Sequence, residues 1–572
     1  MESNRVFGDN IERYLAELVD IRTRRWPDLV DQEPTYPFGQ VTITEYIRRW
    51  AASAPDRPAL IFRDRTTTYA ELDHASDRVA AYLSAMGLKV GDRVAVMMPN
   101  CPQFVVVFIG ILKAGGVHVP VNPMFHHEEI KYELEDSGAR FAFILDDFCT
   151  EFAFAADGTD VEAVIGTCLE VWRSDGESVD DVPGARPDIR LTDVLNDSGP
   201  VVPDDPNDID ALAALNYTGG TTGMPKGCEH SQGDMLYTAI TGGQLNYAMT
   251  PDSITLLYIP VFWIAGEDGL LLSLATGGTC VLQYRWDPKE TLEAIDRHKV
   301  TVLMGTVDNF LELLDHPEVE SYDMSSLETA TTMSFVTKLS VDIRRRWEKE
   351  SGSRAILRES SYGMTEDHTI DTFTLGLQGD DFDLTGRQGF TGLPMPGTNI
   401  AIVDFESGDL IEHGDEGQIV VQSPSMMRGY YRRPEPTAET LKGDWLQTGD
   451  IGAFDTEGCL HYLGRRKEML KVNGMSVFPS ELEFVFSRHP DIAGSGVIGI
   501  PDKSKGQMPL AFIELKAESK GHVTEEQIVQ WCREHIATYK VPRVKLLDVL
   551  PKAPTGKVSK KDLELLAEEA YS

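Results

Sequence analysis

Between Leu60 and Leu282 the chain alternates apolar, β-branched runs such as Arg93-Val-Ala-Val-Met-Met98 and Val117-His-Val-Pro-Val121 with helical patterns such as Tyr69 to Met86. That alternation predicts α/β layers and disfavours a helical bundle or a β-sandwich. At 572 residues the chain is past the size at which one core stops growing, so at least two domains are expected. The Gly/Asp/Pro-rich stretch from Asp175 to Asp208 reads as a surface excursion, and no internal repeat is visible.

A second unit announces itself near Gly464. The charged segment Gly464-Arg-Arg-Lys-Glu-Met-Leu-Lys-Val-Asn-Gly474 leads into Pro479-Ser480-Glu-Leu-Glu483. Ser480 and Glu483 have the spacing of a capping box, which predicts a helix to about Arg488. Strand-like runs follow at Gly496 to Ile500 and Leu510 to Leu515, then a second box at Thr524 and Gln527. The helix opened there places Ile528, Trp531, Cys532 and Ile536 on one face. The expected division is 1–464, a hinge at 465–470, and a small α+β domain over 471–572.

Composition narrows the partners. The 42% hydrophobic and 25% charged residues are ordinary for a globular chain, but 53 basic against 91 acidic residues leave a net charge of −38. That balance argues against nonspecific binding to nucleic acid or to anionic membrane. It suits a salt-rich cytoplasm and a merely acidic protein equally. Seven cysteines are scattered without a C-x-x-C pair, which points to neither a disulfide framework nor a zinc site. The N-terminal segment lacks a basic stretch followed by an apolar core. The most apolar region, Ile254 to Leu282, is interrupted by Glu267, Asp268 and glycines and does not read as a membrane span. The expectation is a cytoplasmic enzyme.

The chemistry concentrates in Tyr217-Thr-Gly-Gly-Thr-Thr-Gly-Met-Pro-Lys-Gly227. Gly219, Gly220 and Gly223 leave backbone N–H groups free to approach an anion. Thr218, Thr221 and Thr222 add hydroxyls, and Lys226 adds positive charge. These are the parts of a phosphate cradle, preceded by a strand from Ala211 to Tyr217 and followed by helical pattern after Ser231, where backbone dipoles favour an anion. Pro225 before Lys226 excludes a Walker A loop.

Further signals follow in order: Ser361-Tyr-Gly-Met-Thr-Glu366, Thr448-Gly-Asp450, Gly464-Arg465 with Lys467, and Pro551-Lys-Ala-Pro-Thr-Gly-Lys557. From about Thr42 to Lys561 the chain resembles the adenylate-forming superfamily of acyl-CoA synthetases, carrier-protein adenylation domains and beetle luciferases. The resemblance implies that an acid and MgATP form an acyl-adenylate, and that coenzyme A then takes the acyl group. It implies that Thr218 to Lys226 hold the β- and γ-phosphates, that Tyr362 stacks on adenine within Tyr362-Gly363-Met364-Thr365, and that Thr365 meets the α-phosphate. Asp450 and Arg465 would bind the ribose and Glu366 would bind Mg²⁺. Lys557, Glu366 and Thr222 would serve the reacting centre, where charge develops on the phosphoryl oxygens. Lys467 would be the hinge of a rotating small domain, and Gly474 would border the coenzyme A tunnel. Taken singly, Asp450 reads as a turn residue, Gly474 as a turn glycine and Lys557 as a solvated lysine.

Some positions depart from the superfamily pattern. Gly219 stands where Ser is usual, Ser361 where Gly is frequent, and Trp263 where His is frequent. Met333-Ser334-Phe335-Val336 replaces Gly-Gly-Ala-Pro. With Phe262 and Phe310, the side chains of Trp263, Met333 and Phe335 predict an apolar, shortened acyl pocket for a short- to medium-chain acid, branched or heteroatom-containing acids included. Trp263 facing away from the pocket as a core residue is the competing reading. Asp308 leaves an amino-acid substrate open. The same residues also suit loading of a carrier protein, or a catalytically silent protein that binds nucleotide.

Overall fold

A computed structural model describes residues 7, 10–30, 32–172, 189–197, 199, 201–218, 224–472, 475–502, 506–553 and 556–571. The architecture is α/β, with a large N-terminal domain and a small C-terminal one. Among the described residues, two seven-stranded sheets of the same plan form the larger part. In one, parallel strands Leu357–Glu359, Thr329–Met333, Val302–Thr306, Ile254–Leu257, Thr279–Leu282 and Pro58–Phe62 end on antiparallel Arg65–Thr68. In the other, parallel strands Ile189–Arg190, Ala163–Thr167, Phe141–Leu145, Arg93–Met97, Val117–Pro120 and Leu212–Tyr217 end on antiparallel Gly227–Ser231. Ile189–Arg190 and the helix Leu191–Asn196 lie inside the stretch expected to be a surface excursion.

Helices Tyr69–Ala85, Pro102–Lys113, Gln232–Thr241 and Ile264–Thr276 share one apolar core with both sheets. Pro102–Lys113 is buried along its whole length because it is apolar all round, which only a helix with neighbours on every side can be. Its one cation, Lys113, reaches Asp73 at 2.5 Å and Asp77 at 2.7 Å, so the lysine's charge is not buried unpaired. Ile254 to Leu282 folds as strand, helix and strand, and no helix among the described residues is long and apolar enough to cross a membrane. All seven cysteines are buried and unpaired.

A third, largely antiparallel sheet carries the hairpin of Trp445–Phe454 and Leu460–Arg465. A single 3-10 turn, Arg466–Glu468, then leads to a separate five-stranded sheet beginning at Leu470–Val472. The helix Pro479–Phe486 corrects one expectation. Phe478 is its N-cap and Pro479 its first residue, so Ser480 sits two positions too far in to cap. Its hydroxyl donates to the Leu463 carbonyl, while the Glu483 carboxylate accepts from Val497 N at 2.9 Å and pairs with Lys560. Gly464 (φ +134°) permits this seam, since a Cβ there would stand 2.8 Å from Ser480 Oγ. The second expected box forms between Thr524 and Gln527 and opens the helix Glu525–His535, with Ile528 and Cys532 buried.

Candidate active site

The phosphate loop joins two antiparallel strands, Leu212–Tyr217 and Gly227–Ser231. This corrects the expected strand-loop-helix order: helix Gln232–Thr241 starts only after the second strand, capped by Ser231, so its N-terminus does not open onto the loop. Gly219, Gly220, Thr221, Thr222 and Gly223 lie outside the described residues. The neck of the loop is tied by Thr218 N donating to Lys226 O at 3.0 Å and Lys226 N donating to Thr218 Oγ1 at 3.2 Å. Tyr217 Oη donates to Asp136 at 3.0 Å, and Tyr132 Oη to Pro225 O at 2.7 Å, so helix His127–Ser137 braces both arms.

The outer strand of that hairpin is flanked by Arg428 to Tyr431, which exchanges backbone hydrogen bonds with Gly227 and Glu229. This brings the Tyr430 ring under the Lys226 ammonium, 4.0 Å away, and lets Tyr430 Oη donate to Glu366 Oε1 at 2.7 Å. Glu366 lies in a 3-10 turn, Thr365–Asp367, followed by His368, Thr369 and Ile370, all at positive φ. Such a run in non-glycine residues stores strain that the surroundings must offset. Gly363 serves this turn, because a Cβ there would meet Ile370 N at 2.4 Å. Met364 N donates to Asp367 Oδ1 at 2.9 Å, and Thr365 O receives His230 Nε2 at 2.7 Å.

Asp450 and Arg465 are opposite one another in the antiparallel hairpin, so the ion pair follows from strand register. Arg465 Nε stands 3.0 Å from Asp450 Oδ1, and Tyr362 Oη donates to Oδ2 at 2.8 Å. Asp450 Oδ1 is buried and accepts no hydrogen bond among the described residues, so it keeps capacity for hydroxyl donors. Burial pushes the Asp450 carboxyl up, against Arg465 and the Tyr362 phenol, which pull it down. The Tyr362 ring lies 6.0 Å from Tyr462 at an interplanar angle of 34°.

Lys557 comes into this group from the small domain. On either side of residues 554 and 555, which lie outside the described ones, Lys552 is bridged to Val558 and Ala553 N donates to Lys557 O at 2.8 Å. The residue is exposed as a whole, while protein around its ammonium desolvates the charge. That desolvation, then the nearby Arg465, lowers its pKa, with Asp450 and Glu468 opposing. Lys467 is exposed in the Arg466–Glu468 turn, and Gly474 lies outside the described residues.

The residues expected to line the acyl pocket make separate contacts. Phe262 and Trp263 meet edge to face at 5.5 Å where Trp263 caps helix Ile264–Thr276, and Met333 ends its strand half-buried. Two side chains stand elsewhere. Phe310 is 1% exposed and packs at 90° on Trp347 in the core, because its helix turns that face inward. Phe335 lies beyond the strand end with the Lys557 ammonium 4.9 Å above its ring. Beside Met333 the Ser334 hydroxyl donates to Glu359, which burial pushes up to about 7. Asp308 Oδ1 accepts the Thr337 hydroxyl at 2.8 Å.

A buried polar cluster behind the hairpin was not anticipated. Glu267, wholly buried, accepts from Asn216 Nδ2 at 3.0 Å, with His368 Nε2 at 3.7 Å and His118 Nε2 at 3.8 Å. Burial pushes Glu267 up, but His368, His118 and Asn216 together outweigh it. Burial drives His118 down to about 4, so it is neutral at pH 7. These contacts join the phosphate hairpin, the helix after Trp263 and the Glu366 turn. The signal was present as two acids inside an apolar helix, Glu267 and Asp268, since an acid there needs partners.

The sequence profile of the family described as AMP-binding enzyme matches residues 47–431, and that of the AMP-binding enzyme C-terminal domain matches 481–557. A long-chain-fatty-acid–CoA ligase of Bacillus subtilis (strain 168) is 30% identical over 549 residues, covering 93% of this chain and 95% of the relative. The 4-coumarate–CoA ligase 1 of Solanum tuberosum is 31% identical over 520 residues, covering 89% and 90%. Among solved structures, the anthranilate CoA ligase AuaEII with anthranoyl-AMP superposes with TM-score 0.81 at 26% identity, covering 92% of this chain and 98% of that one. ATP-bound MatB from Rhodopseudomonas palustris gives 0.78 at 27%, covering 92% and 100%.

Proposed function

The chain belongs to the family of AMP-binding enzymes and is an AMP-forming acid–thiol ligase, and on that premise we propose how its residues divide the reaction and what acid they take. An acid and ATP give acyl-AMP and pyrophosphate, and coenzyme A then gives the thioester and AMP. In this reading Tyr362 flanks the adenine, and Asp450 with Arg465 receives the ribose hydroxyls. The observation that carries the reading is the convergence of Tyr362, Asp450, Arg465 and Lys557 from two domains on one group. Lys226 and the threonines of the phosphate loop take the β- and γ-phosphates. Lys557 reaches the carboxylate and α-phosphate as their charges meet, where a fixed cation lowers the barrier.

Mg²⁺ suits Glu366. Among the described residues no cluster of three or more metal-ligating side chains exists, and Mg²⁺ ordinarily takes one or two carboxylates together with substrate phosphates and water. Tyr430 holds one Glu366 oxygen, which orients the carboxylate. When bound, the ion would neutralise phosphate charge.

The acid is a hydrophobic one of short to medium length, bounded by Phe262, Trp263 and Met333, with Ser334 and Glu359 nearby to tolerate a polar substituent. Residues 465–470 form the hinge, centred on Lys467, and Gly474 borders the thiol tunnel. AMP release dependent on coenzyme A, measured over hexanoate, decanoate, palmitate and 4-coumarate, tests this. The expected optimum is hexanoate or decanoate, and Trp263→Ala should move it upward by at most roughly fourfold per added methylene. A wild-type optimum at palmitate, or a Trp263→Ala variant that loses stability with an unchanged profile, would refute the short wall. Absence of pyrophosphate exchange with any acid would favour a silent nucleotide-binding protein.

A further inference from the structure

The segment Phe335-Val336-Thr337 leaves the end of strand Thr329–Met333 and meets the small domain at every residue. Its shape is fixed from behind: Ser334 donates to Glu359 and accepts Leu339 N at 2.9 Å, while Lys338 Nζ donates to Ser334 O at 2.7 Å. Val336 is 9% exposed in an apolar cluster with Ile498, Leu510, Leu550 and Leu563 of the small domain. It fits there because position 494 is glycine, where a Cβ would stand 2.7 Å from Val336 Cγ1. The Thr337 hydroxyl is 3.4 Å from Ala493 O. Phe335 touches the catalytic loop itself: the Lys557 ammonium lies 4.9 Å from its ring centroid, and its Cδ2 is 3.9 Å from the position a Cβ on Gly556 would take.

We propose that Phe335 is a positioning residue for adenylation, a cation–π platform that holds the Lys557 ammonium at the reacting centre, seated by the docking of Val336 beside it. The inference rests on the reading of Lys557 as the adenylation lysine. A lysine reaches its target through four flexible methylenes, so a fixed ring below the ammonium narrows the positions it samples. The contact belongs to the arrangement in which Lys557 lies within electrostatic reach of Asp450 and Arg465. Its loss therefore affects the first half-reaction alone.

The test measures ATP–pyrophosphate exchange with decanoate and, separately, thioester formation from synthetic decanoyl-AMP and coenzyme A. Phe335→Leu should lower kcat for exchange by about 2- to 30-fold, the range of a cation–π contact, with the KM values for decanoate and ATP and the thioester rate unchanged. Phe335→Tyr should restore most of the loss. Val336→Ala, a milder change at the same edge, should lower exchange and spare thioester formation. Undiminished exchange in Phe335→Leu, equal loss in both half-reactions, or a raised KM for decanoate at intact kcat would overturn the proposal, the last because Phe335 would then be acyl wall. Lys557→Ala run in parallel separates the two readings. If it loses exchange and Phe335→Leu does not, only the platform fails; if it retains exchange, the role given to Lys557 fails first.

Discussion

The Lys557 ammonium is desolvated and repelled by Arg465, with the charges of Asp450 and Glu468 offsetting part of that, an arrangement that an anion would complete. Lys557→Ala should lower acyl-adenylate formation by roughly 10² to 10³ or more while largely sparing thioester formation from preformed acyl-AMP. Equal loss in both half-reactions would contradict the single-step role. Glu359 offers a second residue-scale test through pH. Burial raises its carboxyl from 4.5 to about 7, so the folded chain binds this proton more tightly than the unfolded chain does. The contribution is fully present below pH 4.5 and disappears as pH rises through about 7. Glu359→Gln cannot lose that proton, so its stability relative to wild type should climb by up to about 3 kcal/mol between those limits. Urea midpoints of the two proteins across the window provide the check, and parallel pH profiles would show that the group does not titrate there.

Between residues and domains, two hairpins carry the site. Pairing of Trp445–Phe454 with Leu460–Arg465 sets Asp450 opposite Arg465, and one turn later the chain changes sheet. Lys467→Pro in that turn, which fixes φ and removes an N–H, should leave pyrophosphate exchange measurable and block transfer to coenzyme A. Unchanged overall turnover would place the hinge elsewhere. The other hairpin, Leu212–Tyr217 with Gly227–Ser231, is the antiparallel edge of its sheet, and Arg428 to Tyr431 covers it. That cover brings Tyr430 to both Lys226 and Glu366, residues far apart in the chain.

The whole molecule carries a net charge of −38, and folding concentrates that charge. Self-repulsion should therefore oppose the compact state most strongly at low ionic strength, where the Debye length is about 30 Å at 0.01 M against about 3 Å at 1 M. The thermal midpoint should rise as NaCl increases over that range. A midpoint indifferent to salt would mean that local ion pairs already neutralise the surface.

Local signals sufficed where the physics is local. Strand and helix periodicity, the Thr524 box and the residue types of the phosphate loop were legible because period, capping and charge act within a few residues, whereas Tyr362 to Glu366, Asp450 with Arg465 and Lys557 stood out only through the resemblance to the superfamily. Whatever depended on long-range packing was not. Two sheets of the same plan share no visible sequence repeat, since burial constrains polarity and size but not identity. Ser480 had the spacing of a cap, yet Pro479 took the first helical position and left its hydroxyl to the interdomain seam. Phe310 and Phe335 looked alike as apolar wall residues; one turned into the core and the other went beneath Lys557, because a side chain's direction depends on how its element packs. The α/β layers and the groups available for adenylation are thus written in the order of residues along the chain. Which of those groups face one another is set by packing in three dimensions, because the contacts that do so join residues from different elements, such as Tyr430 with Glu366 and Phe335 with Lys557, and no local preference encodes them.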